Sequence, residues 1–323
     1  MGVEFRNEGV RSNVLGKPMK EPQDVPFEKE GQYLKSDNRS NISYFLEHNV
    51  LLRRFTLSVG VLANYNSALN EGIHFYPGID ASYRIKDNFR LYGSWNRALR
   101  MPTFTDLYYE GKTNKGNPDL KPEESEAFEV GLKYNTYFLR AHIAGFYRKG
   151  KNMIDWVKEK PEDIWESRNL TKVDNLGFET NLSLLPRELG NERFFIRKIE
   201  LGYAFIHQDK DSEGYISNYA LDYLKHKFTA QLSHSIWKGF SATWYVRWQD
   251  RAGSYTKYEN LKPAYEEPYA PYCLVDMKVN WEYQRLNLYA ELNNLLNSTY
   301  YDLGNIPQPG IWFKAGFRYS FKY

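Results

Sequence analysis

The sequence predicts an all-β chain, an antiparallel transmembrane β-barrel of about fourteen strands. Three observations carry this expectation. Apolar and polar residues alternate with period two, the alternating stretches are long, and the connections between them alternate between long and short.

The alternation is clearest near the C-terminus. In GFSATWYVRWQ, Phe240, Ala242, Trp244, Val246 and Trp248 share one parity, and Ser241, Thr243, Tyr245, Arg247 and Gln249 share the other. Side chains on a strand point to opposite faces in turn, so one face is apolar and the other wet. The same holds for Leu286, Leu288, Ala290 and Leu292 against Asn287, Tyr289, Glu291 and Asn293, and for Phe313, Ala315, Phe317, Tyr319, Phe321 and Tyr323 against Lys314, Gly316, Arg318, Ser320 and Lys322. In Leu224–Ile236, Phe228, Ala230 and Leu232 oppose Lys227, Thr229, Gln231 and Ser233. Soluble sheets favour strands of about five or six residues, whereas a tilted strand crossing a bilayer needs about ten. These stretches have the longer length.

Counted back from the C-terminus, connections at 299–310, 250–269, 209–221, 150–169, 99–123, 65–71 and 11–38 are long. Those at 283–285, 237–239, 134–138, 86–88 and 50–53 are tight, and 186–193 is shorter than the long set. Long loops at one rim and short turns at the other are the arrangement of an outer-membrane barrel with periplasmic turns. Lipid-facing alternation also explains how a mean hydropathy of −0.67 coexists with a membrane address, since every second residue faces a wet lumen. By this parity Trp244, Val246 and Leu288 point to lipid, while Arg247, Glu291 and Arg318 point to the lumen.

Composition narrows the function classes. Aromatics make up 17% of the chain, 27 of them Tyr, which favours strands over helices. With 43 Lys and Arg against 40 Asp and Glu there is no basic tract to bind nucleic acid. One cysteine, Cys273, excludes a disulfide framework within the chain and a multi-cysteine zinc site. No run approaches the ~18 apolar residues of a membrane-spanning helix, and the opening MGVEFRNEGVRSN lacks the pattern of a secretory signal. No strained nucleophile turn, paired histidines or spaced carboxylate pair marks an enzyme. No cofactor and no metal site is expected. The six histidines do not cluster; His48, His207, His226 and His234 have lipid-facing parity near strand ends, and His74 and His142 have lumen parity.

The stretch Arg97–Tyr134 resembles the strand-loop-strand segment of TonB-dependent outer-membrane receptors. An Arg-x-Pro element, Arg100 and Pro102, precedes a loop that closes on Asn117, Pro118, Leu120, Pro122 and Glu123, followed by Glu126, Glu129 and Gly131. DNLGFETNLSL, AELNNLLNSTYYD and the terminal aromatic strand are similar to later strands of that barrel in order and spacing. The resemblance covers nearly the whole chain and is of the ferric siderophore or cobalamin type. It implies an outer-membrane address in a Gram-negative bacterium and a barrel of about twenty-two strands. It also implies an N-terminal plug that binds TonB. Residues 1–323 are then the C-terminal part of the barrel domain, with plug and first strands absent. On the residues alone, GNPDLKPEE reads as a rigid re-entry from loop to strand, because its prolines fix φ and exclude helix.

The resemblance implies TonB-driven uptake of a scarce nutrient: a ferric siderophore or cobalamin first, haem or a glycan after them. The Arg-x-Pro loop contains no histidine of the kind haem receptors carry. The partners implied are outer-membrane lipid, TonB through the plug region, a small-molecule chelate and, as a further candidate, a surface lipoprotein; nucleic acid is not among them. A complete fourteen-stranded passive channel is the alternative. The long loops are rich in rings, which suit flat ligands, and the candidate ligand-binding residues are Tyr108, Tyr109, Trp156, Trp165, Tyr215, Tyr255 and Tyr258. Tyr219, Tyr265, Tyr269, Tyr300 and Tyr301 lie in the same loops, with Tyr269 and Tyr301 near enough to strand ends to serve as girdle residues. Lys112, Lys115, Lys151 and Arg168 are basic residues there that could attract an anionic chelate.

Overall fold

The computed structural model describes residues 1–69, 72–160, 162–190, 194–211, 214–217, 223–260, 262–304 and 306–321. Tyr219, Lys322 and Tyr323 lie outside them. Fourteen long antiparallel strands form the wall. They are β1 (Gly2–Ser12), β3 (Gln32–Leu51), β4 (Phe55–Asn66), β5 (Ile73–Lys86), β6 (Phe89–Arg100), β8 (Glu123–Asn135) and β9 (Leu139–Lys158), then β10 (Trp165–Leu184), β11 (Ile196–Asp211), β13 (Leu224–Trp237), β14 (Phe240–Arg251), β17 (Tyr272–Tyr283), β18 (Leu286–Asn293) and β21 (Trp312–Tyr319). Short pieces decorate the long-loop rim: β2 (Lys17–Asp24), helix α1 (Phe104–Tyr108), β7 (Asn114–Lys115), β12 (Ile216–Ser217), the β15 (Ser254–Glu259) and β16 (Lys262–Pro268) hairpin, and the β19 (Tyr301–Leu303) and β20 (Ile306–Pro307) pair.

Each long strand pairs with its neighbours in chain order, from β1 on β3 through β18 on β21. The register carries the alternation across the sheet. Trp248 sits opposite Cys273, Val246 opposite Val275, Trp244 opposite Met277, Ala242 opposite Val279 and Phe240 opposite Trp281. On the other face Arg247 meets Leu274, Tyr245 meets Asp276 and Thr243 meets Lys278. The same rows continue to the last strand, where Leu288 meets Phe317 and Glu291 meets Lys314. Trp244, Val246 and Leu288 therefore share the apolar face, and Arg247, Glu291 and Arg318 the polar one.

The polar face is concave and encloses a hollow of about 940 Å³ lined by Lys198, Lys278, Tyr289, Glu291 and Arg318 among others. Its charges pair across strands: Glu291 takes Lys278 at 2.6 Å and Lys314 at 3.0 Å. Tyr92 donates to Glu129 at 2.8 Å beside His142, with the Lys133 ammonium over its ring. On the convex face Val130, Leu176, Phe313 and Phe317 are more than half exposed, the disposition expected of the outer face of a membrane barrel. His226 lies on that face among Phe205, Tyr203 and Trp248, an interfacial packing role.

The tight turns fall where the sequence predicts them. At Lys238–Gly239 the chain reverses with Gly239 at φ +85, a left-handed conformation that a hairpin turn demands and glycine adopts freely. Any Cβ at Gly239 would also strike the carbonyl of Glu282.

Two loop expectations are corrected. Residues 150–169 are mostly not loop, because β9 runs to Lys158 and β10 starts at Trp165, leaving 159–164 as the connection. Similarly 11–38 contains β2 and the first residues of β3. Strands keep pairing past their apolar stretches because their backbone groups are satisfied in the ladder, and polarity alone does not reveal where pairing stops. The sheet stays open: among the described residues β1 pairs only with β3, β21 pairs only with β18, and the two make no ladder with each other.

Candidate functional site

The sequence marked Arg100 and Glu123 as ends of a loop motif, and the ladder makes them direct partners. Arg100 Nε and Nη2 donate to the two Glu123 oxygens, each at 2.6 Å. Glu123 is 6% exposed and also accepts from the Ile154 amide at 2.8 Å. A bidentate guanidinium fork fixes geometry as well as charge, so it closes the loop at its root. Asn117 caps the turn by accepting from the Asp119 amide at 2.9 Å, Leu120 is buried, and Asn169 both donates to the Lys121 carbonyl and accepts from its amide. The Asn-Pro element is thus a structural re-entry, as its residues alone suggested.

Inside the loop, Thr103 and Asp106 form a capping box that starts α1. The helix lies against β3. Arg39 Nη1 donates to the Pro102 carbonyl at 2.6 Å, its guanidinium stacks 5.0 Å from the Phe104 ring, and Glu8 neutralises it at 2.6 Å. Tyr108 donates to Asp37 Oδ2 at 2.6 Å. Burial, and then the Asp37 carboxylate, push the Tyr108 phenol well above its usual range. Tyr108 is therefore a tether for the loop. Arg39 and Asp37 carried no signal in the sequence, since they act on a segment more than sixty residues away.

Beyond the wall, the β9–β10 hairpin is flanked on both edges by neighbouring loops. β7 adds in parallel to β10 at Trp165 and Glu166, and β12 adds antiparallel to β9 at Val157 and Lys158. Val157 and Ser167 are fully buried between them. The Ser217 hydroxyl donates to the Asp155 carboxylate, which also accepts from the Trp156 amide at 2.8 Å. Four of the predicted residues gather around this small core as a two-sided platform: Trp156 lies opposite Ser167 and Asp155 opposite Arg168, so Trp156 and Trp165 project to one face of the hairpin and Arg168 to the other. Tyr109 packs edge-on against Trp156 at 6.4 Å, the Lys158 ammonium lies 4.5 Å over Trp165, and Arg168 stacks 4.9 Å from the Tyr215 ring while donating to its oxygen at 2.5 Å. Glu166 holds the other edge of Arg168 at 2.9 Å and raises its already high pKa. A cavity of about 190 Å³ opens among Lys158, Asp163, Glu166, Arg168 and Tyr215.

Tyr255 and Tyr258 are not part of that platform. Tyr255 packs on Tyr269 at 5.1 Å and Tyr301 at 5.8 Å, joining the β15–β16 hairpin to the β18–β21 loop. Tyr269 and Tyr301 thus serve a loop cluster. Tyr258 is 54% exposed on the same hairpin. Lys257 bridges to Glu267 at 2.7 Å, and that hydrogen bond raises the lysine pKa and lowers the glutamate pKa. The hairpin's order is accordingly expected to fade in two windows. A carboxylate with a depressed folded pKa loses its contribution as pH falls through that value, below the ordinary carboxylate range. A lysine with a raised folded pKa loses its contribution as pH rises through it, above the ordinary lysine range. Amide exchange at Thr256 and Glu266 measured across pH, corrected for intrinsic rates, checks this; flat protection at both extremes would contradict it.

The comparisons agree with the geometry. The family described as TonB dependent receptor-like, beta-barrel, matches residues 1–295. The vitamin B12 transporter BtuB of Vibrio vulnificus is 26% identical over 225 residues, which is 52% of this chain and 36% of that protein. The ferrienterobactin receptor of Escherichia coli is 22% identical over 297 residues, 83% of this chain and 38% of that protein. Among solved structures, a mutant ferric enterobactin receptor from Pseudomonas aeruginosa superposes with a TM-score of 0.74 at 18% identity, covering 99% of this chain and 50% of that one. The siderophore receptor PirA from Acinetobacter baumannii gives 0.72 at 17% identity over 99% of this chain and 51% of that one. The chain spans about half the length of these solved receptors and just over a third of the curated relatives. The chain belongs to the TonB-dependent receptor β-barrel family.

Proposed function

We propose that this chain is the C-terminal part of the barrel of an outer-membrane receptor that takes up a ferric siderophore or cobalamin, driven through TonB. The observation that carries the reading is the two-sided platform on the β9–β10 hairpin, where neighbouring loops set rings beside cations: Tyr109, Trp156 and Trp165 with Lys158 on one face, and Tyr215 with Arg168 on the other. Rings beside fixed cations suit a flat, anionic chelate, and cobalamin relatives and siderophore relatives both match the chain. Haem and glycans stand behind these two. The plug and TonB are partners of the larger receptor. A passive channel made of these strands alone would need β1 paired to β21, because unpaired edges are intolerable in lipid, and among the described residues no such ladder joins them.

Topology and uptake test the proposal together in the full receptor. Cysteines at Asp106, Glu162 or Lys257 are expected to react with a membrane-impermeant thiol reagent on intact cells; labelling only after the outer membrane is broken would reverse the orientation. Cells dependent on one supplied ligand are expected to grow on a ferric siderophore or on cobalamin. Replacing Tyr109 and Trp156 together with alanine should weaken that ligand's binding by about tenfold or more, the loss expected for two packed rings. A correctly inserted receptor that carries neither ligand sinks the reading.

A further inference from the structure

The lipid-facing side of the wall carries a continuous belt of charge across β6, β8, β9, β10 and β11. Following the register, Arg97 lies opposite Glu126, Glu126 opposite Lys149, Lys149 opposite Asp174 and Asp174 opposite Asp209. One row nearer the long-loop rim, Glu124 faces Lys151 and Lys151 faces Lys172. One row nearer the membrane, the same strands present Trp95, Phe128, Tyr147, Leu176 and His207. The belt therefore starts directly above a mostly apolar and aromatic row, at the level of lipid headgroups. Elsewhere towards this rim the lipid side carries isolated charges, Asp250 opposite His226 and Arg11 opposite Ser36, among uncharged stretches such as Ile42, Tyr65 and Ile73 in one row and Trp248 beside Cys273 in another.

Within the belt the carboxylates are already engaged. Arg97 serves Glu124 and Glu126 at 3.6 and 3.3 Å, and Lys172 serves Asp174 and Asp209 at 3.4 and 3.0 Å. Lys149 and Lys151 are exposed and make no ion pair among the described residues. They stand two residues apart on β9, about 6.6 Å along the strand, a spacing that lets two ammonium groups close on one phosphate. A small cleft lies between them and Arg97, Glu124 and Glu126.

We infer that Lys149 and Lys151 seat a phosphate of a phosphorylated glycolipid in the outer leaflet, with the flanking carboxylates sharing divalent cations with neighbouring phosphates. The inference rests on the membrane placement proposed above and not on the identity of the imported ligand. Two free cations over an aromatic row match a headgroup whose phosphate lies just above its acyl chains.

The test uses the full receptor that carries these strands, in bilayer discs of phosphatidylcholine doped with bisphosphorylated lipid A or its dephosphorylated form. Bound glycolipid per protein is read by native mass spectrometry. The wild type is expected to retain the phosphorylated form selectively, and the Lys149→Ala, Lys151→Ala double variant to lose about tenfold or more of that retention, given the attraction of each lysine to an anionic surface. Lys149→Arg with Lys151→Arg should restore it. Equal retention of both lipids by the wild type, unchanged retention in the alanine variant, or displacement by millimolar inorganic phosphate would overturn the inference. If the alanine variant does not fold, the wild-type comparison of the two lipids decides alone. Failure of the receptor to enter discs at all would instead overturn the membrane placement.

Discussion

Replacing Arg100 with alanine is expected to destabilise the full receptor by about 1–3 kcal/mol, towards the upper end because the orphaned partner is charged. Glu123 is 6% exposed, and without Arg100 it keeps only the Ile154 amide. Arg100 itself is half exposed, so water replaces part of what it supplied and the full penalty of a broken buried pair is not reached. Denaturant unfolding in detergent or lipid gives the measurement. Arg100→Lys should recover only part of the loss, since an ammonium cannot occupy both carboxylate oxygens with fixed geometry. Indistinguishable midpoints for wild type and Arg100→Ala would show that the prolines alone hold the loop root.

Val246→Arg is expected to cost a similar or larger amount, about 2–4 kcal/mol, if the site lies near the bilayer midplane. Val246 sits at the centre of an apolar row with Ala230 and Val275 beside it. One residue on, Arg247 belongs to the polar face with Thr229. Gln231→Arg, also on the polar face, should cost little by comparison. Folding equilibria of the two variants in the same bilayer make the comparison, and equal costs would mean that the faces have been exchanged.

How much of this was readable in advance depends on the range of the interaction. Strand number, parity and turn positions were legible because they follow from local alternation: Phe240 to Trp248 announces its faces without reference to any other segment. The Arg100–Glu123 fork was half legible, since both residues stood out as motif ends but nothing in the chain said they touch. The platform was less so. Tyr109, Trp156, Trp165 and Tyr215 were chosen for being rings in long connections, yet what gathers them is β7 and β12, two-residue strands with no pattern of their own. The tether that Tyr108 makes to Asp37 was not legible at all, because its partner sits on β3 and leaves no local trace. Trp156 and Trp165 looked like loop residues because a strand that leaves the membrane loses its apolar parity while keeping its ladder.

The short strands clamped to either side of the β9–β10 hairpin also bear on how such a receptor can diversify. Connecting loops ordinarily tolerate insertions independently of one another. Here 101–122 and 212–223 each donate a strand to the hairpin that contains 159–164, so lengthening any one of them shifts the register on which the other two depend. The three loops form a single unit of variation: descendants of this chain that change ligand should exchange all three together, while the β15–β16 hairpin, which makes no ladder with them among the described residues, drifts instead with the β18–β21 loop on which Tyr255 packs.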